Sequence, residues 1–394
     1  MTRLSILLID CDSIRTAERR KAERLASRAE TDVHLLVPHR YAGLPLRLEP
    51  GEPVGYRLTV GRLVGRAPAR TLFLDGLAAA LREKPDVVHV TSDEPFLLTA
   101  QVARAARRHA PDSIFTFHSW GNLLFTRRVH PQRLSLLYEI DTRLEAGVFR
   151  RAAGAAIRNR EAGRVLRARG FRGRIAYIPW GTDVETMERG RRGRGRERFG
   201  LSGRVIGYLG RLTPEKGVGD LIDACLTLGG ETTLAVAGEG PMKSVLAERA
   251  QREGAKLTLR LLGNLPHDGV PDFLASLDAL ALPSRTTRLW SEQFGRVLVE
   301  AMAAGTPVVG SSSGAIPEVI GDAGLVFPEG DAAALAEALA GIAADAQLRD
   351  RLAAAGRARA KAEFGWEAFA SRSVAFFRSL RGEATAGDAF EEFA

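Results

Sequence analysis

Short apolar runs rich in β-branched residues recur along the whole chain, and each is followed by a stretch with helical periodicity. This alternation constrains the fold more than any other feature, because strand and helix in succession build parallel sheets wrapped by helices. Strands are read at 4–9, 33–37, 87–90, 113–117, 155–158 and 175–178 in the first half, and at 205–209, 233–237, 257–262, 279–282, 307–310 and 324–327 in the second. The fold class is therefore α/β, with two Rossmann-like, doubly wound units, which suits 394 residues at roughly 100 to 200 per domain.

Between the two series, residues 187–200 read MERGRRGRGRERFG, Arg and Gly with almost no apolar content, and are assigned as an exposed basic linker. The domains are then 1–186 and 201–364, followed by a helix and tail over 365–394. Residues 41–69 are richer in Pro and Gly and read as a loop excursion with room for an added strand; residues 382–394 read as a frayed acidic tail. No apolar run approaches the roughly 20 residues of a membrane span, and the first meets Asp10 before a signal-peptide core can form, which assigns the chain to the cytoplasm. Cys11 and Cys225 lie too far apart in sequence for a disulfide framework or a metal-ligand spacing.

Charge is unevenly placed. Residues 1–200 hold 37 Lys and Arg against 22 Asp and Glu, whereas residues 201–394 hold 19 against 25. A basic first half fits a domain that approaches something anionic, such as a nucleic acid, a membrane surface or a phosphorylated acceptor, and an arginine-rich composition bias accounts for it equally well.

Ligands of doubly wound sheets bind outside the carboxyl ends of the strands, so residues just after strands carry the chemistry. In GYLGRLTPEKG, Gly210 permits a tight turn after a strand, and Arg211 and Lys216 flank the start of a helix. Two fixed cations beside helix amides suit a phosphate or diphosphate. In SEQFGRVLVEAMAAGTPVV, Glu292 precedes a helix that starts near Phe294 and Gly295. Glu300 lies about two turns in, placed to accept hydrogen bonds from vicinal hydroxyls, as of a ribose. A carboxylate within so apolar a helix needs a partner.

The succession GRLTPEKG, AGEGP (237–241), LGNL (262–265) and EQFGRVLVEAMAAGTPVVGSSSGAIPEVI resembles glycosyltransferase family 4, whose members are retaining nucleotide-sugar transferases of the GT-B fold, two Rossmann-like domains facing each other across a cleft. The likeness runs over about residues 174–380 and includes IPWGTD at 178–183. It implies that Gly210, Arg211 and Lys216 hold the donor diphosphate, that Glu300 binds the ribose, and that Asn264 and Leu265 lie near the base. It further implies that Glu292 contacts the donor sugar near the reacting carbon and that Phe294, Gly295, Arg296 and Val297 line the sugar and phosphates. The helix around 366–380 is expected to return to the first domain.

The first half matches more loosely. Where many family members carry a Gly-Gly loop after the first strand, this chain reads DCDSIRTAERRKAERL. Arg15, Arg19, Arg20 and Lys21 are read there as an exposed basic helix or as side-chain charge for a phosphate. His118 ends a strand where many relatives place a histidine near the donor sugar, and it joins Glu292, Arg211 and Lys216 as a catalytic candidate. Asp93, Glu94, Trp120 and Asn122 are the acceptor-side candidates. Asp10 and Asp12 spell a DxD that holds a divalent metal in another glycosyltransferase fold. Its position at the end of the first strand, with Arg211 and Lys216 available to neutralise the leaving group, sets it aside, and no metal or other cofactor is expected. A dehydrogenase needs a GxGxxG turn that is missing after the first strand.

The function these residues imply is transfer of a sugar from a UDP- or GDP-sugar to an acceptor hydroxyl, with retained configuration, in surface polysaccharide or glycolipid synthesis. The expected partners are the nucleotide sugar and a glycan, lipid-linked glycan or small-molecule acceptor, with peripheral contact to an anionic membrane and none to nucleic acid. The alternative is a non-catalytic nucleic-acid or membrane binder on a degenerate GT-B scaffold.

Overall fold

Nearly every position from Leu4 to Ile9 is apolar because the strand they form is covered on both faces. In the computed structural model this run becomes β1 (Leu4–Asp10). The structure describes the chain except residues 1–2, 42–45, 66–70, 92–96, 125–135, 229–230, 254–256, 384–389 and 394. It divides into two compact units, Met1–Gly181 with Trp366–Ala394, and Thr182–Gly365.

The first unit continues with β2 (Thr31–Pro38), β3 (Arg57–Gly61), β4 (Leu63–Val64), β5 (Leu72–Phe73), β6 (Val87–Thr91), β7 (Ile114–Ser119), β8 (Gly154–Ile157) and β9 (Arg174–Tyr177). The second contains β10 (Arg204–Leu209), β11 (Thr232–Ala237), β12 (Thr258–Gly263), β13 (Ala279–Leu282), β14 (Val308–Ser311) and β15 (Leu325–Phe327); β16 (Glu391–Glu392) returns to the first. The first sheet has the order β16-β9-β8-β7-β6-β1-β2-β3 and is parallel except for β16, and the second is wholly parallel, β12-β11-β10-β13-β14-β15. Both reverse direction of growth beside their first strand, between β1 and β6 and between β10 and β13. Those are the switch points where such sheets take ligands.

Burial drives both units. Val88, Val90, Phe115, Phe117, Phe171 and Ile175 are sealed in the first, and Ile206, Leu234, Val236, Leu280, Leu298 and Val309 in the second. Side chains of this size contribute about 1.5–3 kcal/mol each on full burial. The added strand anticipated within 41–69 is β3, which pairs in parallel with β2. Among the described residues no helix is long and apolar enough to cross a membrane.

Two expectations are corrected. The Arg-Gly run is mostly exposed but is not a linker between domains: Arg192–Phe199 is helical and belongs to the second unit. Asp272, almost wholly buried, accepts from the Arg191 amide at 2.8 Å and from two nitrogens of Arg194 at 2.5 and 2.9 Å, while Asp278 receives Arg192 and Arg196. The glycines let the backbones meet, since a Cβ on Gly195 would lie 2.1 Å from the Asp272 carbonyl oxygen. The low apolar content thus reflects arginines that pair with aspartates and glycines that permit close approach. The acidic tail is likewise not wholly frayed. Glu391–Glu392 pairs antiparallel with β9, Glu392 grips Arg174 at 2.8 and 2.9 Å, and Phe393 covers Gly163.

Candidate functional site

In the second unit the loops after β10 and β13 border the switch point. Tyr208 is buried in β10, and its hydroxyl donates to the Arg211 carbonyl at 2.6 Å, fixing the turn at Gly210. Gly238, after β11, approaches so closely that a Cβ there would lie 1.8 Å from the Gly210 carbonyl oxygen, and its φ of 136° independently favours glycine. The chain then makes a short 3₁₀ turn at Pro214–Lys216. Here Lys216 reaches across to the loop after β13 and donates to Glu292 Oε2 at 2.6 Å. The same oxygen accepts from Ser284 Oγ at 2.9 Å, and the Lys216 ammonium stands 4.6 Å from the Trp290 ring centre. Both members of the pair are largely buried, with side chains 13% and 9% exposed.

Arg211 differs from Lys216. Its side chain is 63% exposed, with Glu215 at 3.7 Å as a loose partner, so its guanidinium is available to an incoming anion. Burial pushes the Glu215 carboxyl up, but the Thr213 hydroxyl and the charges of Arg211 and Lys216 outweigh it and hold it below the usual carboxylate range. Burial, reinforced by Glu292, raises the Tyr208 phenol and keeps it protonated.

The helix after Glu292 runs from Arg296 to Ala304, nine residues, with Gly295 in the left-handed region at φ 76° as its N-cap and no side-chain cap. The Leu298 amide donates to the Gly295 carbonyl at 2.8 Å, and the positive end of the helix dipole points toward the loop. Phe294 is buried edge-to-face on Phe364, so its ring belongs to the core. Arg296 is exposed, and Val297 and Glu300 are half-buried. Asn264 is exposed and Leu265 half-buried just after β12. In the order β12-β11-β10-β13 they lie three strand spacings from the Glu292 loop, roughly 14 Å.

Sequence reasoning missed the parts that hold these loops. Arg285 pairs bidentately with Asp220, and its amide donates to the Glu215 carbonyl at 2.8 Å. The Ala315 amide donates to the Glu292 carbonyl at 2.9 Å, and a Cβ on Gly314 would collide with that same oxygen. Ser284 was detectable only as a hydroxyl two residues past a buried strand.

The first-unit candidates fare differently. His118 is fully buried, ringed by His89, Trp120, Trp180 and Phe369 with centroids 5.8 to 6.4 Å away. Burial, then His89, Arg158 and Lys21, depress its proton affinity well below the ordinary range, so the ring is neutral. In this structure the catalytic candidate His118 is thus enclosed by rings of its own unit, with no exposed surface. Trp120 is half-buried, with the Arg158 guanidinium 4.1 Å from its ring centre and 4.2 Å from that of Trp180; Asn122 is buried. Asp93 and Glu94 lie outside the described residues.

The basic stretch after β1 is also corrected. Arg19 is buried and donates to the carbonyls of Ser13, Ile14, Glu49 and Gly51. Lys21 is buried against Asp10 at 2.6 Å and Glu18 at 3.4 Å, with the Trp180 ring centre at 3.9 Å. Arg20 pairs with Glu23, and only Arg15 is exposed. Asp10 also accepts from Ser13 and from the Asp12 amide. Its carboxylate is thus engaged by the chain itself. Burial and the adjacent Asp10 raise the Asp12 carboxyl.

This geometry agrees with comparisons to known proteins. Residues 14–181 match the family described as a glycosyl transferase 4-like domain, and residues 194–359 match glycosyl transferases group 1. Glycogen synthase of Mycobacterium tuberculosis is 36% identical over 182 residues, covering 45% of this chain and 43% of its own. Phosphatidyl-myo-inositol mannosyltransferase of Mycobacterium leprae is 34% identical over 209 residues, covering 52% and 53%. The chain thus spans about half the length of these relatives. The Anabaena protein HepE, solved with UDP and glucose, superposes with a TM-score of 0.66 at 20% identity over 96% of this chain and all of that one, which shows the fold. Two Rossmann-like units, one matched by a glycosyl transferase 4-like domain and the other by glycosyl transferases group 1, identify the chain as a member of the GT4-type glycosyltransferases with the GT-B fold.

Proposed function

We propose that this chain transfers a sugar from a nucleoside diphosphate sugar to an acceptor hydroxyl with retention of configuration, and that the donor binds at the switch point of the second unit. The observation that carries this reading is the pairing of Lys216 with Glu292, which joins the loops after β10 and β13 beside the N-terminus of the helix from Arg296 and an exposed Arg211. HepE, bound to UDP and glucose, supports a nucleoside diphosphate as the ligand class, and the names of the two mycobacterial relatives support a glycan or glycolipid hydroxyl as acceptor.

In the proposed reaction the bond between the anomeric carbon and the phosphate oxygen breaks, and the electron pair leaves with the diphosphate. The acceptor oxygen bonds to the same face of that carbon, and its proton passes to the departing phosphate oxygen. Arg211, Lys216 and the amides of the helix from Arg296 stabilise the charge that accumulates on the leaving group. Glu292 holds the Lys216 ammonium in place, and Glu300 and Asn264 are assigned to the ribose and base ends. The two cations supply counter-charge from the chain itself, so no divalent ion is required in this scheme.

The test is a transfer assay with UDP-glucose, UDP-galactose, UDP-N-acetylglucosamine and GDP-mannose, with the product's anomeric configuration read by NMR. One donor is expected to give a retained product, undiminished by a chelator. An inverted product contradicts the same-face path, and loss with chelator that manganese restores contradicts the counter-charge assignment.

A further inference from the structure

In the first unit the helices Leu97–His109 and Leu136–Arg151 pack side by side, and a groove of about 480 Å³ opens between them. Its rim carries Arg104, Arg107, Arg143, Arg150 and Arg151, and among the described residues no acidic side chain lines it. Arg104, Arg107, Arg143 and Arg150 are exposed and form no ion pair among the described residues. Arg151 is anchored, donating to the Ser113 carbonyl at 2.8 Å, and burial followed by the nearby Arg107 charge weakens its hold on its proton. The floor is apolar, formed by Ala103, Leu144 and Val148.

Arginines in the last turn of a helix offset its dipole, which accounts for Arg107, Arg150 and Arg151. It does not account for Arg104 and Arg143, which stand further from the helix ends and face the same groove. Five guanidinium groups around one concavity repel one another unless an anion joins them, and the planar donor fork matches phosphate oxygens in pairs. The volume falls within the range of small-molecule sites. Arg151 reaches Ser113, which precedes β7, whereas the ligand-binding ends of the sheet strands lie at their carboxyl termini.

We propose that this groove is a binding site for a soluble polyphosphorylated small molecule, separate from the donor site. A concave groove rimmed by arginines favours such a ligand over a flat bilayer surface. The test is calorimetric titration of the full chain at 150 mM salt with inorganic tripolyphosphate and, separately, with UDP. In the double variant Arg104→Ala/Arg143→Ala, tripolyphosphate binding is expected to weaken at least tenfold while UDP binding and the thermal midpoint stay unchanged. In Arg211→Ala the groove's tripolyphosphate binding is expected to persist. Equal tripolyphosphate binding by wild type and double variant overturns the site. So does sedimentation with phosphatidylglycerol vesicles that depends on these two arginines when tripolyphosphate does not bind. Because the readout is binding to the groove, it stands or falls independently of the donor-site reading.

Discussion

Lys216 and Glu292 are 76 residues apart in sequence, and each is recognisable only by its place after a strand. What the sequence does not reveal is that they meet. It assigns one to a diphosphate and the other to a sugar, whereas the structure makes them a single largely buried pair with Ser284 as third member. Removing one partner of such a pair leaves an uncompensated charge. Lys216→Met is expected to cost on the order of 3 kcal/mol, and the double variant Lys216→Met/Glu292→Gln to cost less than the sum of the single changes; strictly additive values from denaturant unfolding contradict direct coupling. His118 teaches the opposite lesson. A histidine at a strand end is a sensible catalytic candidate on sequence, but its neighbours in space come from four separate segments, and together they enclose it.

At the level of elements, most of the architecture is legible. Buried parallel strands are apolar throughout, and the twelve runs read from sequence agree with observed strands to within one or two residues at each end. The misses share a cause. Arg192–Phe199 and Glu391–Glu392 gain their order from ion pairs with remote partners rather than from apolar periodicity, and a local pattern carries no trace of those partners. The helix Arg192–Phe199 depends on Asp272, which ties down the Arg191 amide and the Arg194 guanidinium. Asp272→Ala is expected to lower stability by about 1–3 kcal/mol, because the Arg191 amide and the Arg194 guanidinium lose their shared acceptor. Gly195→Val is expected to cost at least as much, since its side chain would occupy the space of the Asp272 carbonyl. Chemical denaturation measures both, and unchanged midpoints would return this segment to the status of a linker.

For the whole molecule, two buried neutral histidines, His89 and His118, contribute to the loss of stability in acid. Burial, and secondarily Lys21, push His89 down to about 3, and burial followed by His89, Arg158 and Lys21 holds His118 well below the ordinary range. In the unfolded chain both take up a proton near pH 6.5, while the folded chain refuses it. Their contribution is therefore present in full above about pH 6.5 and is lost as pH falls toward 3, by about 1.4 kcal/mol per pH unit for each ring. His118→Phe is expected to flatten this dependence in thermal melts between pH 6.5 and 4; an unchanged slope contradicts the assignment. The uneven charge, a basic first half and an acidic second, was legible in the sequence, but the groove in which five arginines converge on one ligand-sized space required the fold. Calorimetric titration with UDP, GDP and ADP tests whether the second unit holds the donor. One of the three is expected to bind, and Arg211→Ala, an exposed change that leaves the fold intact, to weaken it at least tenfold and to cut turnover by about 10² to 10³. Binding of none of them, or binding indifferent to Arg211→Ala and Lys216→Met alike, would contradict a donor site in the second unit.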